Sequence, residues 1–356
     1  MFSTNALVAL AAHAVPLEWA PWITTYGALG IQLVPLLIVV FGTSAVFPGF
    51  ARRALSCGIL LLAPSHVAEV WLTTLHSQVH WGMAAVLILL EDLAGAGRAR
   101  RWMYRGVLAI AALSSVYVSF LLPAFLLRAW TQRRERRVHL AIVGAAFVVQ
   151  AAVALTCASA GTLNTKRFSP VTIGSIVFAA ERQIAYPLLG HDLTRALARS
   201  SGSHVVGLAV LALAAAAILA ALACRARLRL TADDPRTVLL LSFACVFSGT
   251  CITAFGGMAG GRYAVVSGAV LLLACLAFVP RTCRRWPAWI PLMLLACALG
   301  AGAREYRLDP DLRCDGSTTC WRTEVARWRA DPYHPIPLCP APWVLRLTPR
   351  ARSLRP

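Results

Sequence analysis

An all-α bundle of membrane helices is the fold class this sequence predicts, and three observations predict it. Hydrophobic residues make up 58% of the 356 and charged residues only 14%, where a soluble domain carries about a quarter charged. The mean hydropathy is +0.67. The apolar residues come in long blocks, several of which reach the roughly 20 residues needed to cross a hydrocarbon core. The expected architecture is a polytopic transmembrane bundle of roughly 8–10 membrane segments over residues 1–303, followed by an extracytoplasmic tail over 304–356.

The first full span reads as Ile23 to Phe47. Two short blocks follow, Leu55 to Ala63 (ending at Pro64) and Val79 to Leu90. Gly106 to Trp130 is apolar but interrupted by Ser114, Ser115 and Pro123. Leu140 to Ala158, Val205 to Cys224, Val238 to Phe255, Tyr263 to Val279 and Ala288 to Ala301 complete the set. No internal repeat is apparent. The first fourteen residues lack the basic n-region of a secretory signal, and Leu7 to Ala14 is too short to span.

The formal net charge of +19 does not indicate nucleic acid, because no polar domain carries a basic face. More than half of the 34 basic residues fall in five short segments between apolar blocks: Arg52–Arg53, Arg98–Arg105, Arg128–Arg137, Arg225–Arg236 and Arg281–Arg285. Short loops rich in arginine face the cytoplasm. Placing all five inside puts the N-terminus, the 159–203 loop, the Gly256–Arg262 turn and the tail outside. The block 106–130, flanked by arginines on both sides, must then enter and leave on the same side, as a re-entrant or hairpin element. Irregular backbone at membrane depth persists only where it is buried in protein or lines a wet cavity. Lys166 is the only lysine, and this arginine and alanine usage points to a bacterial inner membrane of a high-GC organism.

Ionisable residues at a membrane are costly and are functional candidates by default. The densest group is His66, Glu69, His76, Gln78 and His80, between Trp71 and Trp81. His66 and Glu69 are spaced i,i+3 and His76 and His80 i,i+4, so each pair shares a helix face. A carboxylate beside imidazoles suits acid–base chemistry or a divalent metal. The same residues also fit an interfacial helix with Trp71 and Trp81 as belt aromatics and the polar groups facing headgroup water. A second candidate is Gly256-Gly257-Met258-Ala259-Gly260-Gly261-Arg262-Tyr263. Its glycines allow close backbone approach, and Arg262 suits a phosphate; the alternative is a tight turn with Arg262 reaching to headgroups. Val171 to Gly190, which carries Glu181 and Arg182, reads as an interfacial helix on the outer leaflet. Glu91 and Asp92 read as solvated. Cys314 and Cys320, with Cys339 further along the tail, lie outside, and the first two are placed for an exterior disulfide or remain free thiols; the other eight cysteines read as small hydrophobes.

Several of these stretches resemble the bacterial C-type glycosyltransferase superfamily. They are Pro64…Glu69-Val-Trp71…His76-Ser-Gln78…Trp81, then Leu113-Ser-Ser…Leu121-Leu-Pro123…Arg128, then Gly260-Gly-Arg262-Tyr263, and finally Trp321-Arg-Thr-Glu-Val…Trp328-Arg…Asp331-Pro…Pro342-Trp343. The resemblance implies sugar transfer from a polyprenyl-phosphate donor at the outer face. It implies Glu69 as acid–base or acceptor-orienting group, Arg262 and Tyr263 at the donor phosphate, and His66, His76, Gln78 and His80 around the substrate. Such enzymes carry acids in a first outer loop, and this chain begins near the place where that loop would end. The expectation is therefore either a start placed too far downstream or a non-catalytic relative. A transporter or flippase of an amphipathic substrate is the alternative from another class, since transporters use interrupted helices.

Overall fold

The computed structural model describes residues 2–63, 76–162, 173–201, 231–254, 261–279, 289–305, 321–337 and 344–346. The described chain is all-α apart from one tiny hairpin. It begins with α1 (Phe2–His13), a 3-10 turn (Leu17–Trp19), α2 (Ala20–Phe41), α3 (Phe50–Leu62) and α4 (Ser77–Leu90). Next come α5 (Arg98–Ser114), α6 (Val116–Phe120), α7 (Leu122–Thr131) and α8 (Arg133–Ser159). α9 (Ile173–Ala180) continues through a π-helical turn (Glu181–Ala185) into α10 (Tyr186–Leu189) and α11 (His191–Ser201). α12 (Pro235–Ala254), α13 (Gly261–Phe278) and α14 (Trp289–Glu305) precede α15 (Trp321–Ala330) and the paired strands β1 (Ile336–Pro337) and β2 (Val344–Leu345).

Three of these helical stretches are long and apolar enough to cross a membrane: Leu17–Phe41, Glu135–Ser159 and Pro235–Ile252. They mark the chain as a membrane protein. In the second of them most of the apolar surface lies open, with Phe147, Val148, Val153 and Leu155 all exposed. So continuous an apolar face is the kind of surface a membrane helix presents.

α4 is the axis of the bundle. Every residue in it except Gln78 is buried, as expected for a helix that is apolar all round. It lies against α2, α5, α12 and α13. α5 runs antiparallel to α4, the chain breaks at Ser115 in an extended conformation, and α6 and α7 return. Both feet of this hairpin stand at one end of the molecule. Arg105 at the start of α5 pairs with Glu135 at the start of α8, 2.7 Å apart. Arg128 near the end of α7 donates to the Leu89 carbonyl at the end of α4, at 3.1 Å.

The same end gathers arginines from four of the five basic segments, and their placement has a local cause. The last carbonyls of a helix have no partner within it and carry partial negative charge. Arg53 donates to the Gly42 carbonyl at 2.9 Å, to the Phe47 carbonyl and to that of Val40, closing α2. Arg128 and Arg136 close α4, Arg136 reaching the Ile88 carbonyl at 2.8 Å and that of Glu91. Arg52 closes α13 through the Val279 carbonyl at 2.6 Å. Asp234, just before α12, accepts from the Arg236 backbone N–H at 2.8 Å and pairs with its guanidinium at 2.6 Å.

Three expectations are corrected. The first span ends at Phe41, not Phe47, because Gly42 turns extended and Arg53 takes up the terminal carbonyls. Glu91 is not solvated. It is fully buried, and its Oε2 accepts from the Thr43 N–H at 2.7 Å and the Tyr104 hydroxyl at 2.9 Å; Asp92 is exposed as expected. The stretch read as an interfacial helix, Val171 to Gly190, is covered by other helices over its described middle. Glu181, Gln183, Ile184 and Ala185 are buried, packed against α12 and α13, with α10 also against α14. Gln183 Oε1 accepts from the Thr250 hydroxyl at 2.9 Å. Pro187 sits over Gly268, where an added Cβ would lie 2.5 Å from the proline ring.

Candidate functional site

The far end of the bundle, opposite the arginines, holds the described part of the group singled out from the sequence. His76 stands at the N-cap of α4, its carbonyl accepting from the Val79 N–H at 3.0 Å. His76 and His80 are i,i+4 and both are buried, at 7% and 2% exposure. Through the neighbouring Ser77, Gln78 and Trp81 a hydroxyl network ties the start of α4 to α1 and to the hairpin tip. Ser3 of α1 receives the Trp81 indole N–H on its Oγ at 3.0 Å and gives its backbone N–H to the Ser114 Oγ, also at 3.0 Å. The Ser77 hydroxyl lies 3.3 Å from those of both Ser3 and Thr4. Ser115, at the hairpin break, donates to the Gln78 carbonyl at 2.6 Å. The serine pair that interrupts the apolar block thus has a defined role: each hydroxyl anchors the hairpin tip to the start of α4 or to α1.

The belt-aromatic alternative fails for Trp81, which is 5% exposed and bonded inward. Polar groups buried in a low-dielectric interior are strongly held when satisfied. Two imidazoles in such a setting can exchange protons with a substrate group or orient it through hydrogen bonds.

Tyr263 is half-buried in the first turn of α13, where Arg262 also sits. Thr250, near the end of α12, and the π-helical turn lie at this same end. Arg182 of that turn stacks over Phe178 and Tyr186, 4.6 and 5.3 Å from the ring centroids. π-helical turns are rare and recur at functional sites. His66, Glu69 and Trp71, the Gly256–Gly260 stretch, the Arg262 side chain, the Val205 to Cys224 block and Cys314, Cys320 and Cys339 lie outside the described residues. Among the described residues no three His, Cys, Asp or Glu side chains converge as a metal would require. Cys57, Cys157, Cys245, Cys251, Cys275 and Cys297 are free thiols.

The tail docks at the far end as well. The Trp321 indole donates to the Leu17 carbonyl at 2.9 Å, and Arg329 pairs with Glu18 at 2.5 Å. Within the tail, buried Glu324 is held by Arg327 and His334, each at 2.7 Å. Ser3, Gln183 and Thr250 carry no mark in the sequence as members of polar networks, because single hydroxyls and amides inside apolar helices form no pattern. Comparison with protein-family models, with curated proteins and with solved structures finds no match to this chain.

Proposed function

We propose that this chain is a multi-pass protein of a bacterial inner membrane that handles a lipid-linked sugar at the end opposite its arginines. The favoured reaction is sugar transfer from a polyprenyl-phosphate donor. In this reading the arginine end faces the cytoplasm, and the N-terminus and tail lie outside. Support for the orientation comes from the gathering of four of the five short arginine-rich segments at one end. Support for the membrane thickness comes from α2, where exposed Trp22 and Tyr26 near one end and Phe41 at the other act as belt aromatics. Trp22 and Phe41 stand about 28 Å apart along the axis, close to the hydrocarbon thickness.

The observation that carries the functional reading is the buried His76–His80 pair at the start of α4, the same turn that the hydroxyl network fixes to α1 and the hairpin tip. Glu69 lies a few residues upstream as acid–base or acceptor-orienting group, and Arg262 and Tyr263 serve the donor phosphate. The test uses Glu69→Gln, Arg262→Ala and His80→Phe, each checked for membrane insertion. Loss of transfer from a radiolabelled polyprenyl-phosphate sugar in all three is the expected result. Full activity in Glu69→Gln and Arg262→Ala together ends the site assignment. The hairpin broken at Ser115 favours a second reading, a flippase. Movement of the lipid-linked sugar across proteoliposomes without transfer to an acceptor would select it.

A further inference from the structure

A separate feature sits at the arginine end. A cavity of about 460 Å³ is lined by Ala96, Arg98, Arg101, Trp102, Arg105 and Glu135, within the size range of small-ligand sites. Three guanidinium groups meet a single carboxylate there. Arg53, Arg128 and Arg136, by contrast, are engaged with helix carbonyls. Two of the cavity's arginines are set in place by neighbours, and Arg98 is exposed beside them. Arg105 holds Glu135 through two hydrogen bonds at 2.9 and 2.7 Å and stacks over Trp102 at 4.7 Å. Arg101 reaches the same carboxylate at 3.5 Å. A fixed planar fork matches phosphate oxygens better than a mobile ammonium does.

The surroundings say what kind of phosphate. Trp102, Met103 and Ile110 are exposed on the outer face of α5, with Gly106 between them. Trp102, Gly106 and Ile110 fall at i, i+4 and i+8, so an apolar strip runs from the cavity along the helix toward the bundle's middle. Trp130, exposed at the end of α7, lies at the same level. A free anion has no use for such a strip; an acyl chain does.

We propose that this cavity binds the phosphate of an anionic phospholipid, with Arg98, Arg101 and Arg105 on the headgroup and the Trp102–Ile110 strip along its acyl chain. The inference rests on the arginine end lying at a membrane–water boundary and is independent of the sugar chemistry. Full-length protein in nanodiscs of phosphatidylcholine is titrated with phosphatidylglycerol, and bound lipid is counted by native mass spectrometry. Arg98→Gln leaves the Glu135 ion pairs intact and should weaken retention about fivefold, with a further loss of similar size in Arg98→Gln/Arg101→Gln. Arg304→Gln, an exposed arginine at the far end, should change nothing.

Equal retention in wild type and both cavity variants overturns the proposal. Equal losses in Arg304→Gln overturn it too, since they would mean general charge attraction. Displacement of the lipid by millimolar inorganic phosphate would make the ligand a soluble anion and overturn the lipid assignment. Failure to insert into nanodiscs would sink the membrane reading itself, whereas insertion without lipid preference sinks this inference alone.

Discussion

At the scale of single residues, arginines at one end of the bundle fall into two sets: Arg52, Arg53, Arg128 and Arg136 close helix ends, and Arg98, Arg101 and Arg105 line a cavity. Arg136 is 1% exposed, and removing it would take the guanidinium from the Glu91 carbonyl and leave the Ile88 carbonyl with the Glu91 N–H alone, at about 1–3 kcal/mol for a buried group left unsatisfied. Arg136→Met should therefore lower the thermal midpoint measurably in nanodiscs. Its exposed neighbour, changed as Arg137→Met, should stay within about 0.5 kcal/mol of wild type. Asp234 gives a pH dependence. Burial pushes its carboxyl up, but its hydrogen bonds and charge attraction with Arg236 outweigh this and hold it below its ordinary 3.8. A depressed carboxyl stabilises the fold above its unfolded value and loses that contribution as pH falls through the folded one. Acid unfolding of the wild type should thus include a component below about pH 4 that is missing in Asp234→Asn. Identical acid profiles for the two would refute this.

At the scale of elements, membrane helices associate through close backbone approach rather than through a hydrophobic driving force. α3 and α14 meet where an added Cβ on Gly302 would lie 1.6 Å from the Leu62 carbonyl oxygen. No side chain can yield there, because the obstacle is backbone. Gly302→Ala should separate these helices and lower stability by roughly 1–3 kcal/mol, read as a shifted melting point. Among the described residues the tail element is held differently, by an indole hydrogen bond, a partly exposed ion pair and the Arg322 guanidinium over the Trp19 ring. Exposed pairs contribute little, so Trp321→Phe should weaken docking more than Arg329→Gln does. Limited proteolysis of the tail should show faster cleavage in Trp321→Phe. The hairpin element was legible because arginines flank both feet. Its tip contacts were not, since a serine pair reads as an interruption whether or not its hydroxyls find partners.

At the scale of the whole molecule, the bundle is polarised. Helix-capping arginines and a basic cavity occupy one end; buried imidazoles, a π-helical turn and the docked tail occupy the other. A periplasmic reporter fused after the C-terminus should be active, and one inserted at Gly97 should be silent. The opposite pattern would invert the proposed orientation. Helix class and the three apolar helices long enough to cross a membrane were determined by the sequence itself, as was the arginine-rich character of the segments that gather at one end. Length, apolarity and charge are local properties that the bilayer reads directly. What only the tertiary structure decided is which polar groups are buried. Glu91, Trp81 and the segment from Glu181 to Ala185 look like boundary residues along the chain, yet each lies inside because a neighbouring helix covers it. Such cover depends on contacts between residues far apart in sequence. Periodicity cannot report those contacts, and in a chain that is apolar on nearly every face it does not single out the inner one.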